Sequence, residues 1–218
     1  TIGNNAEAYA DLAEPEFFGP ADANECNLAL PVAGDIHACT SSASVFDYIS
    51  TQLSAPRVTW AVTERGEKTY NTSILWDADG GMLDYYDKRH PVPFGEYIPD
   101  RTFWRPFAPD LIELVGREYT PGTTDMVFDL NGVIMGINIC FDIVDDQVLT
   151  ETIEQGAQFI VASSNNADFG RTDESAQQLA TARIRAIELG RSVVDISTVG
   201  ISAVIAPDGT IVAQLPWY

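Results

Sequence analysis

Apolar and polar residues alternate in short runs along most of the chain, a pattern typical of β-strands. Two such runs flank a charged turn at residues 64–68 and predict a hairpin. A second hairpin is predicted around Asn131-Gly132, the strongest short signal for a two-residue hairpin turn. The predicted strands are residues 58–63, 69–77, 82–86, 125–130, 132–139, 158–163, 192–197, 201–205 and 210–215.

Three segments instead have the apolar spacing of helices: residues 44–53, 146–155 and 173–189. Gly156 and Gly190 follow the last two, where glycine commonly ends a helix. Strands and helices mixed in this order predict an α/β domain built from layers. Residues 88–117 are irregular and rich in proline and aromatic residues, and loops of such length in compact domains usually carry function.

The charge narrows the range of functions. With 32 Asp and Glu against 12 Lys and Arg, the formal net charge is −20. Nucleic-acid binding is therefore not expected, because it requires a basic surface that displaces counterions. The two histidines and the spacing of the three cysteines predict no metal site, and no cofactor is expected. Cys26 and Cys39 either pair in an oxidising compartment or stay free thiols.

The two ends suggest a piece of a longer protein. The chain begins at Thr1 and ends at Tyr218, directly after an apolar strand-like run. No run of about 18 apolar residues is present, so no transmembrane segment is predicted within these residues. We expect residues 1–218 to form one domain, of which residues 1–45 match known patterns least.

Cys140 is the candidate nucleophile. It ends an apolar strand and is followed by Phe141-Asp142 and a predicted helix. A nucleophile at such a turn is exposed at the sheet edge, and the N–H of Phe141 would point at a developing oxyanion. The dipole of an adjacent helix N-terminus would stabilise the thiolate. The alternative is a small buried apolar residue, the commonest fate of a free cysteine.

Residues 86–99 (YDKRHPVPFGEYIP) resemble the signature of apolipoprotein N-acyltransferases, a membrane branch of the nitrilase, or carbon–nitrogen hydrolase, superfamily. The resemblance continues in one register from about residue 45 to residue 216. Its asparagine pair at residues 165–166 and the run STVGIS at residues 197–202 are most similar to the actinobacterial form. The other segments that carry it are residues 136–142, 163–170, 177–179, 182–191 and 198–205.

The resemblance implies a four-layer α-β-β-α sandwich and acyl transfer through a cysteine thioester. The thiolate takes the acyl chain from a phospholipid, and the N-terminal amine of a diacylglyceryl-cysteine lipoprotein then accepts it. The resemblance also implies that the domain lies on the extracytoplasmic side of the cell membrane, held by flanking transmembrane helices outside this chain.

Residue by residue, the resemblance assigns three members of the site. Cys140 is the nucleophile, Lys88 is the cation beside the oxyanion with the Phe141 N–H as partner donor, and Glu96 supports the lysine. Arg89 and His90 also match, and we expect structural roles for both.

The predicted general base departs from the family. In the register we favour, Val32 stands where the family has its glutamate, and valine cannot accept a proton. A different register places Glu16 there, but leaves only fifteen residues before it. Loss of a positioned general base typically costs about 10²–10⁴-fold in rate.

Two further interpretations stay open. The aromatic arm, residues 103–107 and 111–115, is either a lid facing the membrane or a loop tucked onto the core. The alternatives to acyl transfer are a soluble nitrilase-type amidase and, because of Val32, a non-catalytic relative that acts as a partner or scaffold.

Overall fold

The computed structural model describes residues 49–50, 52–77, 81–107, 109, 112, 115, 118–170 and 172–215. Of the predicted helix at residues 44–53, the described end is helical. Cys26, Cys39, Glu16 and Val32 lie outside the described residues. The described chain divides into two compact units. The first unit comprises the residues up to Asp87 and Pro91–Pro121, and the second comprises Lys88–His90 and the residues from Gly122 onward.

The first unit contains an antiparallel sheet in the order β1-β2-β3. Its strands are β1 (Arg57–Arg65), β2 (Lys68–Trp76) and β3 (Met82–Asp87). The predicted hairpin is confirmed, and Gly66 turns it with φ 62°. Because both strands extend further than predicted, the turn is tighter than residues 64–68.

Among the described residues of the long loop, Arg101–Trp104 form a short helix, α1, and Pro109 and Ile112 are also helical. The Asp100 carboxylate caps this helix by accepting from the N–H of Phe103 at 3.1 Å. Further along, Ile112 and Val115 pack with Ile98 in a small buried cluster. Ile112 and Val115 of the arm are thus tucked onto the core, whereas Phe103 and Phe107 are exposed. That the arm is a lid facing the membrane stays a prediction.

The second unit is built on a six-stranded mixed sheet in the order β4-β5-β6-β7-β8-β9. The three neighbours β5, β6 and β7 run parallel, and the other pairs are antiparallel. The strands are β4 (Val127–Leu130), β5 (Val133–Ile139), β6 (Phe159–Ser164), β7 (Ser192–Ser197), β8 (Ser202–Ile205) and β9 (Ile211–Leu215). The helices are α2 (Asp146–Glu154) and α3 (Glu174–Leu189), with 3₁₀ helices at Cys140–Val144 and Ala167–Phe169.

Turn chemistry fixes several of these boundaries. Asn131 and Gly132 have φ of 57° and 88°, as a primed hairpin turn requires. Gly190 ends α3 with φ 60°, and the helix is confirmed. The predicted strand at residues 125–130 begins later, at Val127. The other strands of this unit lie within about one residue of their predicted bounds.

One face of the six-stranded sheet holds the core of the second unit. Alternate residues of the strands, such as Ile160, Val193 and Ile205, are fully buried there with Ala182 and Ala186 of α3. Helix α2 approaches β5 at Gly136, where an added Cβ would lie 2.6 Å from Thr152 Cγ2. A side chain at this position would therefore force α2 away from the strand that leads to Cys140.

In the described part of the chain, no helix is both long and apolar enough to cross a membrane.

Candidate active site

The carboxyl ends of the parallel strands β5, β6 and β7 meet at one edge of the sheet of the second unit. Ile139 pairs with Ser163, which pairs in turn with Ile196. Cys140 follows β5 directly, so the register brings it to the same edge as Ser164 and the loop after β7. Ligands and reacting groups of open α/β sheets gather at this edge.

Cys140 is a strained, partly exposed elbow residue. It has φ 51°, a left-handed conformation that costs a non-glycine residue about 1–3 kcal/mol. Strain of this kind clusters at active sites, where it aims a nucleophile out of the sheet. The Asp142 carboxylate accepts from the N–H of Ile139 at 2.9 Å and holds the two sides of Cys140 together.

The expectation that the N-terminus of an α-helix lies directly beside Cys140 is wrong. A 3₁₀ helix, Cys140–Val144, intervenes, and α2 begins only at Asp146. Moreover, the N–H groups of Gln147 and Val148 already donate to the Asp145 carboxylate, at 2.9 and 3.1 Å. The N-terminus of α2 therefore stabilises the Asp145 carboxylate and not the Cys140 thiol. The N–H of Phe141 lies in the first turn of the 3₁₀ helix, where N–H groups have no partner within a helix.

Lys88 is buried, with 1% of its surface exposed. It belongs to the same compact unit as Cys140, and its carbonyl accepts from the N–H of Gly122 at 2.9 Å. A solvated surface lysine is excluded by this burial. Because burying an ammonium is costly, buried lysines are uncommon and cluster at functional sites.

The two residues after Lys88 fasten this segment to helix α2. The Arg89 guanidinium donates to the Thr124 carbonyl at 3.1 Å and lies 3.5 Å from the Glu151 carboxylate. His90 Nδ1 lies 2.7 Å from Asp145 Oδ2. Arg89 and His90 thus connect the lysine segment to α2, the helix that follows Cys140, as the expected structural roles require.

Asp145 is stabilised in its charged form. Burial raises the pKa of Asp145, but the hydrogen bond with His90 and the N–H groups of Val148 and Gln147 outweigh it. The pKa therefore lies below the ordinary aspartate value. The ionised carboxylate serves two purposes at once, as the cap of α2 and as the partner of His90.

Glu96 lies in the first unit, at the centre of a tight turn. Its carboxylate accepts from the N–H of Val92 at 2.7 Å and from the Asn71 amide at 2.6 Å. Its carbonyl also accepts from the N–H of Tyr119 at 2.8 Å. An ordinary solvated carboxylate would make none of these bonds, and both of its oxygens are engaged in organising the loop after the lysine motif.

An amide network at the carboxyl edge was missed in the sequence. Asn166 Nδ2 donates to Gln178 Oε1 at 2.9 Å and to Ser197 Oγ at 3.0 Å. Gln178 Nε2 in turn donates to Ser164 Oγ. The network joins the ends of β6 and β7 to α3, beside the position of Cys140. The motif contained Asn166 and Gln178, but nothing in the pattern indicated that they bond each other.

A buried polar pair below the edge was also missed. Asn138 and Asp195 occupy equivalent positions on β5 and β7, and Ala162 of β6 lies between them. Both are 2% exposed or less, and neither Oδ1 atom has a hydrogen-bond partner among the described residues. Burial raises the pKa of Asp195 to about 7.

Among the described residues, no three His, Cys, Asp or Glu side chains are grouped so as to hold a metal ion. The general base stays a prediction, since Glu16 and Val32 lie outside the described part of the chain.

Residues 49–218 match the carbon–nitrogen hydrolase family. The chain is 41% identical over 150 residues to an apolipoprotein N-acyltransferase of Mycolicibacterium smegmatis, which covers 68% of this chain and 24% of that protein. It is 28% identical over 169 residues to the enzyme of the same name from Vibrio cholerae, covering 74% of this chain and 33% of that protein. The chain therefore spans about a quarter to a third of the length of these relatives. The resemblance noted in the sequence is confirmed, including its actinobacterial character.

Two solved structures share the fold. An amidase of the nitrilase superfamily from Nesterenkonia superposes with a TM-score of 0.60 at 18% identity, over 81% of this chain and 62% of that one. A nitrilase-superfamily protein from Saccharomyces cerevisiae gives 0.60 at 21% identity, over 83% and 64%. The predicted fold class, an α/β sandwich of the carbon–nitrogen hydrolase type, is confirmed.

Proposed function

The chain belongs to the carbon–nitrogen hydrolase family, and from that premise we propose that it is the catalytic domain of an apolipoprotein N-acyltransferase. It would transfer an acyl chain from a phospholipid to the N-terminal amine of a diacylglyceryl-cysteine lipoprotein. The domain would work on the extracytoplasmic side of the cell membrane, with flanking transmembrane helices outside this chain. The observation that carries the proposal is that one compact unit contains both a strained nucleophile elbow at Cys140 and a buried lysine, Lys88.

The first half of the reaction uses the elbow. The Cys140 thiolate attacks the ester carbonyl of the phospholipid, and a C–S bond forms as negative charge develops on the carbonyl oxygen. The Lys88 ammonium and the Phe141 N–H would stabilise that oxygen, as oxyanion donors do. The C–O bond then breaks, and the lysophospholipid oxygen takes the proton that the general base removed from the Cys140 thiol, while the acyl chain stays on Cys140 as a thioester.

In the second half of the reaction, the acyl chain passes from Cys140 to the lipoprotein amine. The neutral amine of the lipoprotein attacks the thioester carbonyl, the C–S bond breaks, and an amide forms. The amine loses a proton to a general base, and the thiolate is restored. Because the thioester divides one difficult exchange into two easier steps, a cysteine suits this chemistry. Glu96 stays a predicted member of the machinery on the resemblance, with its turn-organising bonds in support.

The proposal is tested by incubating the chain with phospholipid vesicles and a synthetic diacylglyceryl-cysteine peptide. Mass spectrometry should find the peptide heavier by one acyl chain, and none of this product with Cys140→Ala. Small amides supplied in place of the lipid distinguish the amidase alternative. Amide hydrolysis without peptide acylation would contradict the proposal.

The general base is tested by two substitutions. If Val32 occupies the base position, Val32→Glu should raise turnover, whereas Glu16→Gln should leave it unchanged. If Glu16 is the base, Glu16→Gln should lower turnover by about 10²–10⁴-fold. No turnover in the wild-type chain or in Val32→Glu would favour the non-catalytic relative.

A further inference from the structure

Two buried oxygen atoms in the sheet of the second unit have no hydrogen-bond partner among the described residues. They are Oδ1 of Asn138 on β5 and Oδ1 of Asp195 on β7. Asn138 is 0% exposed and Asp195 is 2% exposed, so bulk solvent does not satisfy them. An acceptor that is buried without a partner destabilises the fold, and native proteins rarely keep one. These two atoms therefore call for a donor that the described side chains do not provide.

Both side chains project from the same face of the sheet. Ala162 of β6 pairs with Asn138 on one side and with Asp195 on the other, and residues side by side on neighbouring strands share a face. Ala162 is buried in the core cluster that also contains Ala182 of α3. Asn138 and Asp195 therefore point to the face covered by α3, and on the sheet only the methyl group of Ala162 lies between them.

The spacing of the two side chains suits one water molecule. Neighbouring strands lie about 4.8 Å apart, so the Cα atoms of Asn138 and Asp195 are about 10 Å apart. The Asn138 amide nitrogen donates to the Ile137 carbonyl at 3.0 Å, which leaves Oδ1 as the atom without a partner. Ala162 between the pair and Ala203 on the far side of Asp195 are both small. A buried water requires such room together with two to four polar partners.

Water fits the two acceptors better than a metal ion does. A water molecule has two O–H donors, one for each Oδ1 atom. Burial raises the pKa of Asp195 to about 7, so at lower pH the carboxyl group is neutral and attracts a cation only weakly. Its O–H then donates to the same water, which still donates to Asn138. Among the described residues, no third His, Cys, Asp or Glu side chain joins them in a group that could hold a metal ion.

A third partner for this water lies further along β6. Ser164 follows Ala162 by two residues, so it faces the same side of the sheet, and it is 6% exposed. Its oxygen accepts from the Gln178 amide, and its own hydroxyl proton is therefore available as a donor. Since buried waters make about three hydrogen bonds, Ser164 would complete the set and link the water to the amide network at the carboxyl edge.

We propose that one buried water molecule lies over Ala162 and bridges Oδ1 of Asn138 to Oδ1 of Asp195. The bridge ties β5 to β7 across β6, just before the carboxyl edge of the sheet. Because Cys140 follows Asn138 by two residues, the water holds the strand end that presents the nucleophile. The inference concerns the sheet of the second unit and does not rest on acyl transfer.

A crystal structure of the chain tests the site directly. We expect a single density peak at about 2.6–3.2 Å from both Oδ1 atoms, the range of hydrogen bonds to oxygen. A direct hydrogen bond between Asp195 and Asn138, or no peak over Ala162, would overturn the inference. So would a peak with six or more oxygen ligands at about 2.3–2.6 Å, which indicates a calcium ion.

Two substitutions of nearly equal shape at Ala162 test the site in solution. Ala162→Thr places a hydroxyl group where the water would lie, and Ala162→Val places a methyl group there. The unfolding equilibrium constant of Ala162→Val, from urea titration at about pH 5, should exceed that of Ala162→Thr by about tenfold, because the methyl group leaves the two acceptors without a donor. A dry apolar site would give the reverse order, since burying the threonine hydroxyl is then costly. The reverse order or equal constants would overturn the inference.

The matched control is the same pair of substitutions at Ala203. Ala203 lies beside Asp195 on the side away from Asn138, and it is also buried. Ala203→Val should be at least as stable as Ala203→Thr, because a side chain there does not enter the space between the two acceptors. An equal preference for threonine at both positions would overturn the assignment of the water to the space over Ala162.

Hydrogen exchange measures the effect on the strand end. The N–H of Ile139, which donates to the Asp142 carboxylate, should exchange severalfold faster in Ala162→Val than in Ala162→Thr. The last turn of α3 is the internal reference and should exchange at the same rate in both variants, once their global stabilities are matched with urea. Equal exchange at Ile139 under these conditions would overturn the role of the water in holding the end of β5.

Discussion

The two units differ in the solvent exposure of the side chains to which we assign a function. The second unit buries them: Lys88, Asn138 and Asp195 are each 2% exposed or less. The first unit exposes large aromatic side chains, with Phe107 72% exposed on an arm that also carries Arg105. Burial fixes geometry and strengthens electrostatic interactions, as chemistry requires, whereas exposure offers contact area, as binding to a lipid surface requires.

The comparison predicts that variants of the two units fail in different assays. Variants of the second unit should lose acyl transfer or stability and keep vesicle binding. Variants of the arm should lose vesicle binding and keep the reactivity of Cys140 toward a soluble alkylating reagent.

The largest effect is expected for Lys88→Met, which keeps much of the side-chain volume and removes the charge. If Lys88 stabilises the oxyanion, acyl transfer should fall by about 10²–10³-fold, the cost of one such donor. Lys88→Arg should not rescue it, because a buried ammonium site does not fit a planar guanidinium. The measurement is the rate of peptide acylation, with the melting temperature as the folding control. A rate within threefold of wild type in a folded Lys88→Met variant would place Lys88 outside the chemistry.

The next effect concerns stability and comes from Asp195. Because its pKa in the folded state is about 7, above its unfolded value, the folded state holds the proton more tightly. Its stabilising contribution is therefore complete below about pH 4 and is lost as the pH rises toward 7. Asp195→Asn should remove this dependence and raise the free energy of unfolding at pH 8 by about 2–4 kcal/mol.

Urea unfolding of wild type and Asp195→Asn between pH 4 and pH 8 measures this difference. Asn166→Ser, a change at a buried amide of the same unit that adds no titrating group, controls for the general effect of altering a polar side chain. Parallel pH profiles for wild type and Asp195→Asn would show that Asp195 is ionised in the folded protein.

The smallest effect is expected at Asp145. Asp145→Ala removes both the cap of α2 and the partner of His90, and should cost about 1–2 kcal/mol of unfolding free energy. Asp145→Asn keeps a capping oxygen and should cost less. Because the pKa of Asp145 is lowered, its contribution is present above about pH 4 and is lost as the pH falls further. The wild-type advantage over Asp145→Asn, measured by urea unfolding, should therefore shrink below pH 4; a constant difference would contradict the ion pair.

Most strands and helices of the described chain follow from local patterns. The hairpin at Asn131-Gly132 and the end of α3 at Gly190 are encoded by residues that tolerate positive φ. The 3₁₀ helix at Cys140–Val144 was not predicted, because five residues are too few to show a periodicity. Its omission led to the wrong expectation of a helix dipole beside the thiol.

The motifs identified residues of the site but not their burial or their hydrogen-bond partners. Lysine is a surface residue by default, so the burial of Lys88 depends on packing that no local pattern reports. Asn166 and Gln178 bond because α3 folds back onto the end of β6, and their separation along the chain gives no sign of it. Asp195 stands in a run that predicts a strand, but the run does not show that its carboxyl group is buried.

The central claim is that Cys140 carries the acyl chain, and intact-mass spectrometry tests it most directly. After incubation with phosphatidylcholine vesicles and without an acceptor peptide, the chain should gain the mass of one acyl group. Peptide mapping should place that group on Cys140, and hydroxylamine should release it, as it does a thioester. Addition of the diacylglyceryl-cysteine peptide should then clear the adduct. An unmodified Cys140 in a chain that still acylates the peptide, or an adduct that persists in Cys140→Ala, would contradict the account.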